Sequence, residues 1–367
     1  MILIAALLLA QQTSWQSYVR DFDRYVASDS VAGAATVLVE GGRVTQEHYA
    51  GYADISTLRR VDASTLFHWA SITKTLTAVA VMQLRDQGLL SLDDPLTRWV
   101  PEVRQLHNPF GPTDAITLRM VLGHSAGFRG GTWPYARGRP WEPFEPTRWE
   151  QLVAMMPYQE TQFAPDARYG YSNPGYVYLA RVIEAVSGDP WQGYIYKNVW
   201  LPLGITSSYF GLTPWPARMH RSHNYALVRD SATGSLRRVD QGVEFDPGIT
   251  IPNGGWNGPI GDVAKWVAAL ADYPGIEEFW RARHAVSGYD AGADSMGLGF
   301  FLYGTGGERL VGHTGHQANF RSYFLLHPRT RRGIVAVFNT TNDAQPEESE
   351  RGWRRAMELA RRVLQDR

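Results

Sequence analysis

The chain of 367 residues contains no cysteine. That absence excludes disulfides, thiolate metal sites, a cysteine nucleophile and a lipidated N-terminal cysteine. Any nucleophile is therefore an oxygen or an amine. Charge of one dominant sign is also missing: 36 Lys and Arg stand against 36 Asp and Glu, a formal net charge of +0. This balance gives no electrostatic footprint for wrapping nucleic acid. Internal repeats, low-complexity stretches and long charge blocks are absent too, which argues against solenoids and linkers. What remains is a globular composition, with 44% hydrophobic and 20% charged residues. The length suits two structural regions or one large domain with an insertion.

Residues 1–10 read MILIAALLLA. Ten residues fall far short of the roughly 20 needed to cross a bilayer as a helix, so no integral membrane span is expected. The length fits the apolar region of a secretory signal. Residues 1–12 are expected to be an export signal, with the protein periplasmic or secreted, and residues 13–367 the mature domain. A buried N-terminal helix is the alternative.

Apolar periodicity places an amphipathic helix over residues 15–27 and a strand over 34–40. A Gly41-Gly42 turn follows, with the return strand over 43–52. Late in the chain, 297–303, 307–312, 320–326 and 333–338 read as four more strands. A closing helix follows, with Trp353, Ala356, Met357, Ala360 and Leu364 on one stripe. Six arginines lie elsewhere along 351–367 and read as a solvated face. Between the two strand regions the pattern is helical and loop-rich. The expected fold class is α+β: an antiparallel sheet built from both chain ends, flanked by terminal helices, with an inserted helical region. The α/β part spans about 13–85 and 285–367, and the helical part about 86–284.

Three short patterns carry chemistry. Ser71 opens a helix over 75–87 that is apolar almost all round, and Lys74 sits one turn later on the same face. Desolvation of such a lysine favours its neutral, proton-accepting form. The helix N-terminus beside the serine favours a developing oxyanion. The same two residues also fit a plain helix cap and a lysine that reaches to water. Tyr171-Ser172-Asn173 follows a loop, in what reads as a tight turn before a helix at 176–186. A tyrosine acts as a base only where a cation or a lysine shares its proton, and an asparagine can donate to a substrate carbonyl. His313-Thr314-Gly315-His316 lies between two expected strands. Gly315 permits close approach of a substrate backbone, and the N–H of His316 could face that of Ser71 to form an oxyanion hole. Metal at His313 and His316, or at His220 and His223, lacks a surrounding carboxylate set and is not expected.

In this order and on these element types, S-x-x-K, Y-x-N and H-T-G together resemble the serine β-lactamase and penicillin-binding-protein superfamily, in its class C β-lactamase-related branch. Residues 118–128 (LRMVLGHSAGF), 254–256 with 262–266 (GGW and DVAKW), 297–300 (GLGF) and 333–339 (GIVAVFN) are similar to further segments of that family. The resemblance covers about residues 15–365. It implies Ser71 as the acylated nucleophile, Lys74 as its activating partner and Tyr171 as general base and later acid. Asn173 then positions the substrate, and the N–H groups of Ser71 and His316 form the oxyanion hole. The implied reaction is acyl transfer through a covalent ester, then hydrolysis, with no metal or cofactor.

One departure matters. Many relatives carry Lys-Thr-Gly where this chain has His313-Thr314-Gly315. A neutral histidine binds a substrate carboxylate less strongly than a lysine does. The expected function is therefore a serine hydrolase acting on esters, D-amino-acid amides or small peptides. A β-lactamase or D,D-carboxypeptidase is the alternative, and a catalytically idle binding module on the same fold is the second. The expected partner is a small-molecule or short-peptide substrate. The aromatic, Pro-rich stretch 129–150 is expected either to wall the cleft or to pack the helical region's own small core.

Overall fold

A computed structural model describes residues 2–131, 146–243, 246–286, 292–342 and 344–365, with side chains from residue 15 onward. Helix α1 (Ile2–Ser28) leads into β1 (Gly33–Glu40), β2 (Arg43–Asp54), β3 (Arg59–Arg60), β4 (Leu66–Ala70) and α2 (Thr73–Asp86). The middle of the chain holds α3 (Leu96–Trp99), α4 (Leu118–Leu122), α5 (Trp149–Met155), α6 (Asn173–Ser187) and α7 (Trp191–Ile195). Then come β5 (Tyr209–Phe210), β6 (Tyr225–Arg229), β7 (Leu236–Asp240), α8 (Ile251–Gly254), β8 (Trp256–Pro259) and α9 (Ile260–Leu270). The chain closes with β9 (His284–Ala285), β10 (Ser295–Met296), β11 (Phe301–Tyr303), β12 (Leu310–Gln317), β13 (Phe320–His327), β14 (Arg332–Phe338), β15 (Thr340–Asn342) and α10 (Pro346–Gln365).

Among the described residues, nine strands form one sheet in the order β3-β2-β1-β14-β13-β12-β11-β10-β9. Every pairing in it is antiparallel. The seam between β1 and β14 joins the two chain ends, with Ala34 opposite Phe338 and Val39 opposite Gly333. Both faces of the sheet are covered, which explains why β1 is apolar at nearly every position. Ala35, Val37 and Val39 enter the core shared with α2 and α9, whereas Ala34 and Leu38 enter the core shared with α1 and α10. In that second layer Tyr18 of α1 hydrogen-bonds Thr36 (2.9 Å) and Tyr323 (3.0 Å), so its hydroxyl is satisfied inside the apolar contact. The expected α+β architecture is the observed one, and the apolar stripe of α10 is buried as predicted. No helix among the described residues is long and apolar enough to cross a membrane.

Four local expectations differ from the structure. Residues 306–308 form a 3-10 turn, and the strand begins only at Leu310. That strand then runs through His313–Gln317 instead of ending at Gly312. It does so because β13 pairs along its whole length through a two-residue hairpin at Ala318-Asn319, both with positive φ (47° and 61°). No glycine marks that turn, which hid it. The strand expected over 297–303 is shortened to β11 at 301–303, because Gly297 donates to the Phe300 carbonyl and Gly299 takes a positive φ, making residues 297–300 a turn between β10 and β11. Asn173 is not in a turn but is the first residue of α6, whose N-cap Ser172 accepts the Gly175 N–H. Finally, the middle region also contributes strands: among the described residues β5 and β8 pair with β4 in one three-stranded sheet (β4-β8-β5), and β6 and β7 join β15 in another (β15-β6-β7). Of the stretch 129–150, residues 132–145 lie outside the described residues. Trp149 packs edge-on against Tyr178 of α6, with Arg181 over its ring, which serves the helical region's own core.

Candidate active site

Strand β4 ends at Ala70, which adopts a left-handed conformation (φ 49°) that non-glycine residues enter at a cost of about 1–2 kcal/mol. This bend turns the chain abruptly into α2 and leaves Ser71 at the turn, partly exposed. Two threonines hold the bend: Thr73 Oγ1 donates to the Ala70 carbonyl (2.6 Å) and Thr75 Oγ1 to that of Ile72 (2.8 Å). Thr73 Oγ1 also accepts the Trp256 N–H (3.0 Å), tying the turn to β8.

Lys74, one helical turn on, is fully buried. Its Nζ lies 3.1 Å from Ser71 Oγ, 2.8 Å from Asn173 Oδ1 and 2.8 Å from the Asn253 carbonyl. Two of these acceptors are carbonyl-type oxygens and take N–H donors in either protonation state. The third direction at Nζ faces Ser71: an ammonium donates there, and a free amine presents its lone pair to the hydroxyl proton. Asn173 Oδ1 receives a second donor from Asn253 Nδ2 (3.1 Å). With Oδ1 so occupied, Asn173 has its Nδ2 as the side-chain group with which it can donate to a substrate. Tyr171 places its ring centroid 4.8 Å from Lys74 Nζ, within cation–π range. The alcohol, the amine, the amide and the aromatic ring are thus brought together from α2 and from the N-terminus of α6.

The third motif lies in the middle of the main sheet. Gly315 lets β12 press against the end of β4: a Cβ there would overlap the Trp69 carbonyl oxygen and Ser322 Oγ. Ser322 Oγ donates to that same carbonyl (3.0 Å). Strand β11 pairs only with residues 310–312 of β12, so beyond Gly312 the β12 edge on that side is left uncovered by β11. Thr314 is partly exposed and His316 exposed, whereas His313 is buried. The His313 ring packs 4.8 Å from Phe301 and 6.4 Å from Tyr171. Its Nδ1 lies 2.6 Å from the Thr314 carbonyl and so donates, which leaves Nε2 as a lone-pair acceptor without a partner among the described residues. Burial, and then the charge of Lys74, push its pKa down to about 3. His313 is therefore neutral at physiological pH.

Two further residues shape the site without having been singled out from sequence. Asn253, from α8, supplies a backbone acceptor to Lys74 and a side-chain donor to Asn173. His124, just after α4, stacks on the Tyr171 ring at 4.4 Å and 29°. His124 falls in LRMVLGHSAGF, a segment similar to the superfamily, and Asn253 immediately precedes the similar segment GGW. That adjacency was the available signal. His220 and His223 lie elsewhere: His223 pairs with Asp240 (2.8 Å) and His220 with Ser64 (3.1 Å).

Comparisons with known proteins agree with this geometry. The family profile described as Beta-lactamase matches residues 19–358. The chain is 26% identical over 329 residues to penicillin-binding protein 4* of Bacillus subtilis, covering 86% of this chain and 70% of that protein. It is 25% identical over 322 residues to protein flp of Staphylococcus aureus, covering 86% of this chain but only 61% of that protein. Among solved structures it resembles the octameric penicillin-binding protein homologue from Pyrococcus abyssi (TM-score 0.77, 26% identity, 94% of this chain and 77% of that one). It also shares the fold of the D-amino acid amidase from Ochrobactrum anthropi solved with D-phenylalanine (TM-score 0.79, 21% identity, 98% and 100%).

Proposed function

The chain belongs to the Beta-lactamase family and is a serine hydrolase, and on that premise we propose that it cleaves esters, D-amino-acid amides or small peptides in preference to β-lactams and substrates ending in a carboxylate. The observation that carries the reading is the buried Lys74, whose Nζ stands 3.1 Å from Ser71 Oγ and 4.8 Å from the Tyr171 ring centroid. In the proposed reaction Ser71 Oγ attacks the substrate carbonyl carbon while its proton passes to the Tyr171 oxygen, with Lys74 holding the pair through its positive charge. The N–H groups of Ser71 and His316 receive the oxyanion. Collapse of the tetrahedral intermediate breaks the bond to the alcohol or amine, which takes the proton back from Tyr171. Water then hydrolyses the Ser71 ester. Asn173 Nδ2 holds the acyl side of the substrate.

The substrate preference rests on His313. A neutral imidazole stands where the related lysine would offer a cation, so a carboxylate entering the cleft loses a charge-assisted partner. The fold shared with a D-amino acid amidase accords with amide substrates. Export of the protein, directed by residues 1–12, is part of the same proposal, and N-terminal sequencing of the secreted form checks it.

Intact-mass spectrometry tests the reading across p-nitrophenyl esters, D-amino-acid amides, D-Ala-D-Ala peptides and β-lactams. Acyl-enzyme on Ser71 with rapid ester or amide turnover is expected, and a fluorophosphonate probe should label the protein but not a Ser71→Ala variant. Labelling of that variant at the normal rate defeats the nucleophile. β-Lactam turnover comparable to that of aryl esters reverses the substrate order.

A further inference from the structure

We propose that His124 is a positioning residue that clamps Tyr171 against the Ser71–Lys74 pair from both sides of its backbone and across its ring; this rests on the role given to Tyr171 above.

His124 belongs to neither the nucleophile turn nor the β12 motif, and it follows α4 in a left-handed conformation (φ 54°). That conformation is itself fixed: His124 donates its N–H to Val121, and Ser125 donates to Met120. The bend aims two acceptors of one residue at the strand-like segment before α6. The His124 carbonyl accepts the Gly170 N–H (2.8 Å), and its Nδ1 accepts the Ser172 N–H (3.0 Å). These donors flank Tyr171 on either side. The imidazole then stacks on the phenol ring at 4.4 Å, with Tyr176 at 5.0 Å and Tyr169 edge-on at 6.0 Å closing around it. Tyr171 therefore has its preceding and following amides and one ring contact set by a single side chain and its backbone.

The clamp needs an imidazole in one state. Since Nδ1 accepts the Ser172 N–H, the proton sits on Nε2, and protonating Nδ1 would set two donors against each other. Burial, and then the charge of Lys74, hold the His124 pKa well below its usual value, so the accepting form persists at neutral and mildly acidic pH. A residue that fixes a reacting group within a fraction of an ångström contributes through geometry, and a misplacement of about 1 Å lowers rate about 100-fold. The imidazole stacks on Tyr171, packs against Tyr169 and Tyr176 and accepts the Ser172 N–H, so the effect assigned to it runs through Tyr171.

The test is steady-state kinetics of the full chain on a p-nitrophenyl ester for His124→Phe, His124→Asn, Tyr171→Phe and the double variant His124→Phe/Tyr171→Phe, with thermal melts to confirm folding. His124→Phe keeps a stacking ring but removes the acceptor for Ser172. Its kcat should fall about 10- to 100-fold with KM little changed. His124→Asn keeps an acceptor and tolerates the left-handed backbone, so it should recover part of that loss. In the double variant the His124 change should add nothing to the Tyr171→Phe loss, because a positioning residue has no second route to the chemistry. If His124→Phe fails to fold, His124→Asn carries the comparison, with a smaller fall in kcat that likewise vanishes on Tyr171→Phe. A folded His124→Phe enzyme with unchanged kcat, or a fall that multiplies onto the Tyr171→Phe loss, overturns the clamp while leaving the role of Tyr171 intact. Full activity of Tyr171→Phe overturns both.

Discussion

Lys74 is a long, basic side chain with no exposed surface, and it remains buried because three oxygens meet its Nζ. A buried cation without such partners would lose its proton or leave the interior. His313 answers the same problem differently. It gives one ring N–H to the neighbouring Thr314 carbonyl and stays neutral. Replacing it with lysine tests whether this one residue sets the charge preference of the cleft. His313→Lys should raise kcat/KM for carboxylate-terminated peptides relative to an aryl ester by about tenfold, the scale of one charge-assisted contact. A lower melting temperature should accompany it, because a second buried cation joins Lys74. An unchanged ratio of the two substrates in a folded variant would separate His313 from carboxylate handling.

At the level of elements, the site depends on how closely β12 lies against the end of β4. Gly315 is the residue that permits it, and its role concerns space instead of backbone freedom: any Cβ would strike the Trp69 carbonyl and Ser322 Oγ. Gly315→Ala must push β12 away from the turn bearing Ser71 or break the Ser322–Trp69 hydrogen bond. Overpacking of this kind costs about 1–3 kcal/mol. The variant should melt lower and lose kcat/KM more than its stability loss accounts for, since the His316 N–H moves with the strand. Paired melting curves and ester kinetics check this, and full activity in the variant would remove β12 from the oxyanion hole.

At the scale of the whole molecule, three of the buried histidines among the described residues, His68, His124 and His313, have surroundings that favour the neutral ring. Burial, aided by the charge of Arg221, lowers His68 to about 3; burial, aided by Lys74, lowers His313 to about 3; and His124 is held well below its usual value. In the unfolded chain each titrates near 6.5. Below that pH the unfolded state binds protons that the folded state refuses. Stability is therefore fully present above about pH 6.5 and is lost as pH falls toward about 3. Each histidine contributes a slope of up to about 1.4 kcal/mol per pH unit. Urea denaturation between pH 7 and pH 4.5 should show this loss, and His313→Gln should flatten it by about one proton's worth. Stability that is flat across this range would show that these side chains gain water or partners on acidification.

Much of this was readable along the chain because it is local. The Ser71–Lys74 pair shares one helical turn. β1 and β2 form a hairpin marked by Gly41 and Gly42, and the stripe of α10 repeats at helical spacing. Each is fixed by residues within one or two turns of one another, where propensity and periodicity act directly. The strand state of His313–Gln317 depended on a hairpin turn that carries no glycine, and the contact of Asn253 with Lys74 and the hold of His124 on the Tyr171 segment depended on packing between residues 179 and 48 positions apart. A sequence pattern carries no distance across such gaps. The side-chain chemistry was thus set by the sequence alone, but its convergence into one cleft, and the neutral state of His313 within it, were decided by burial that only the folded core creates.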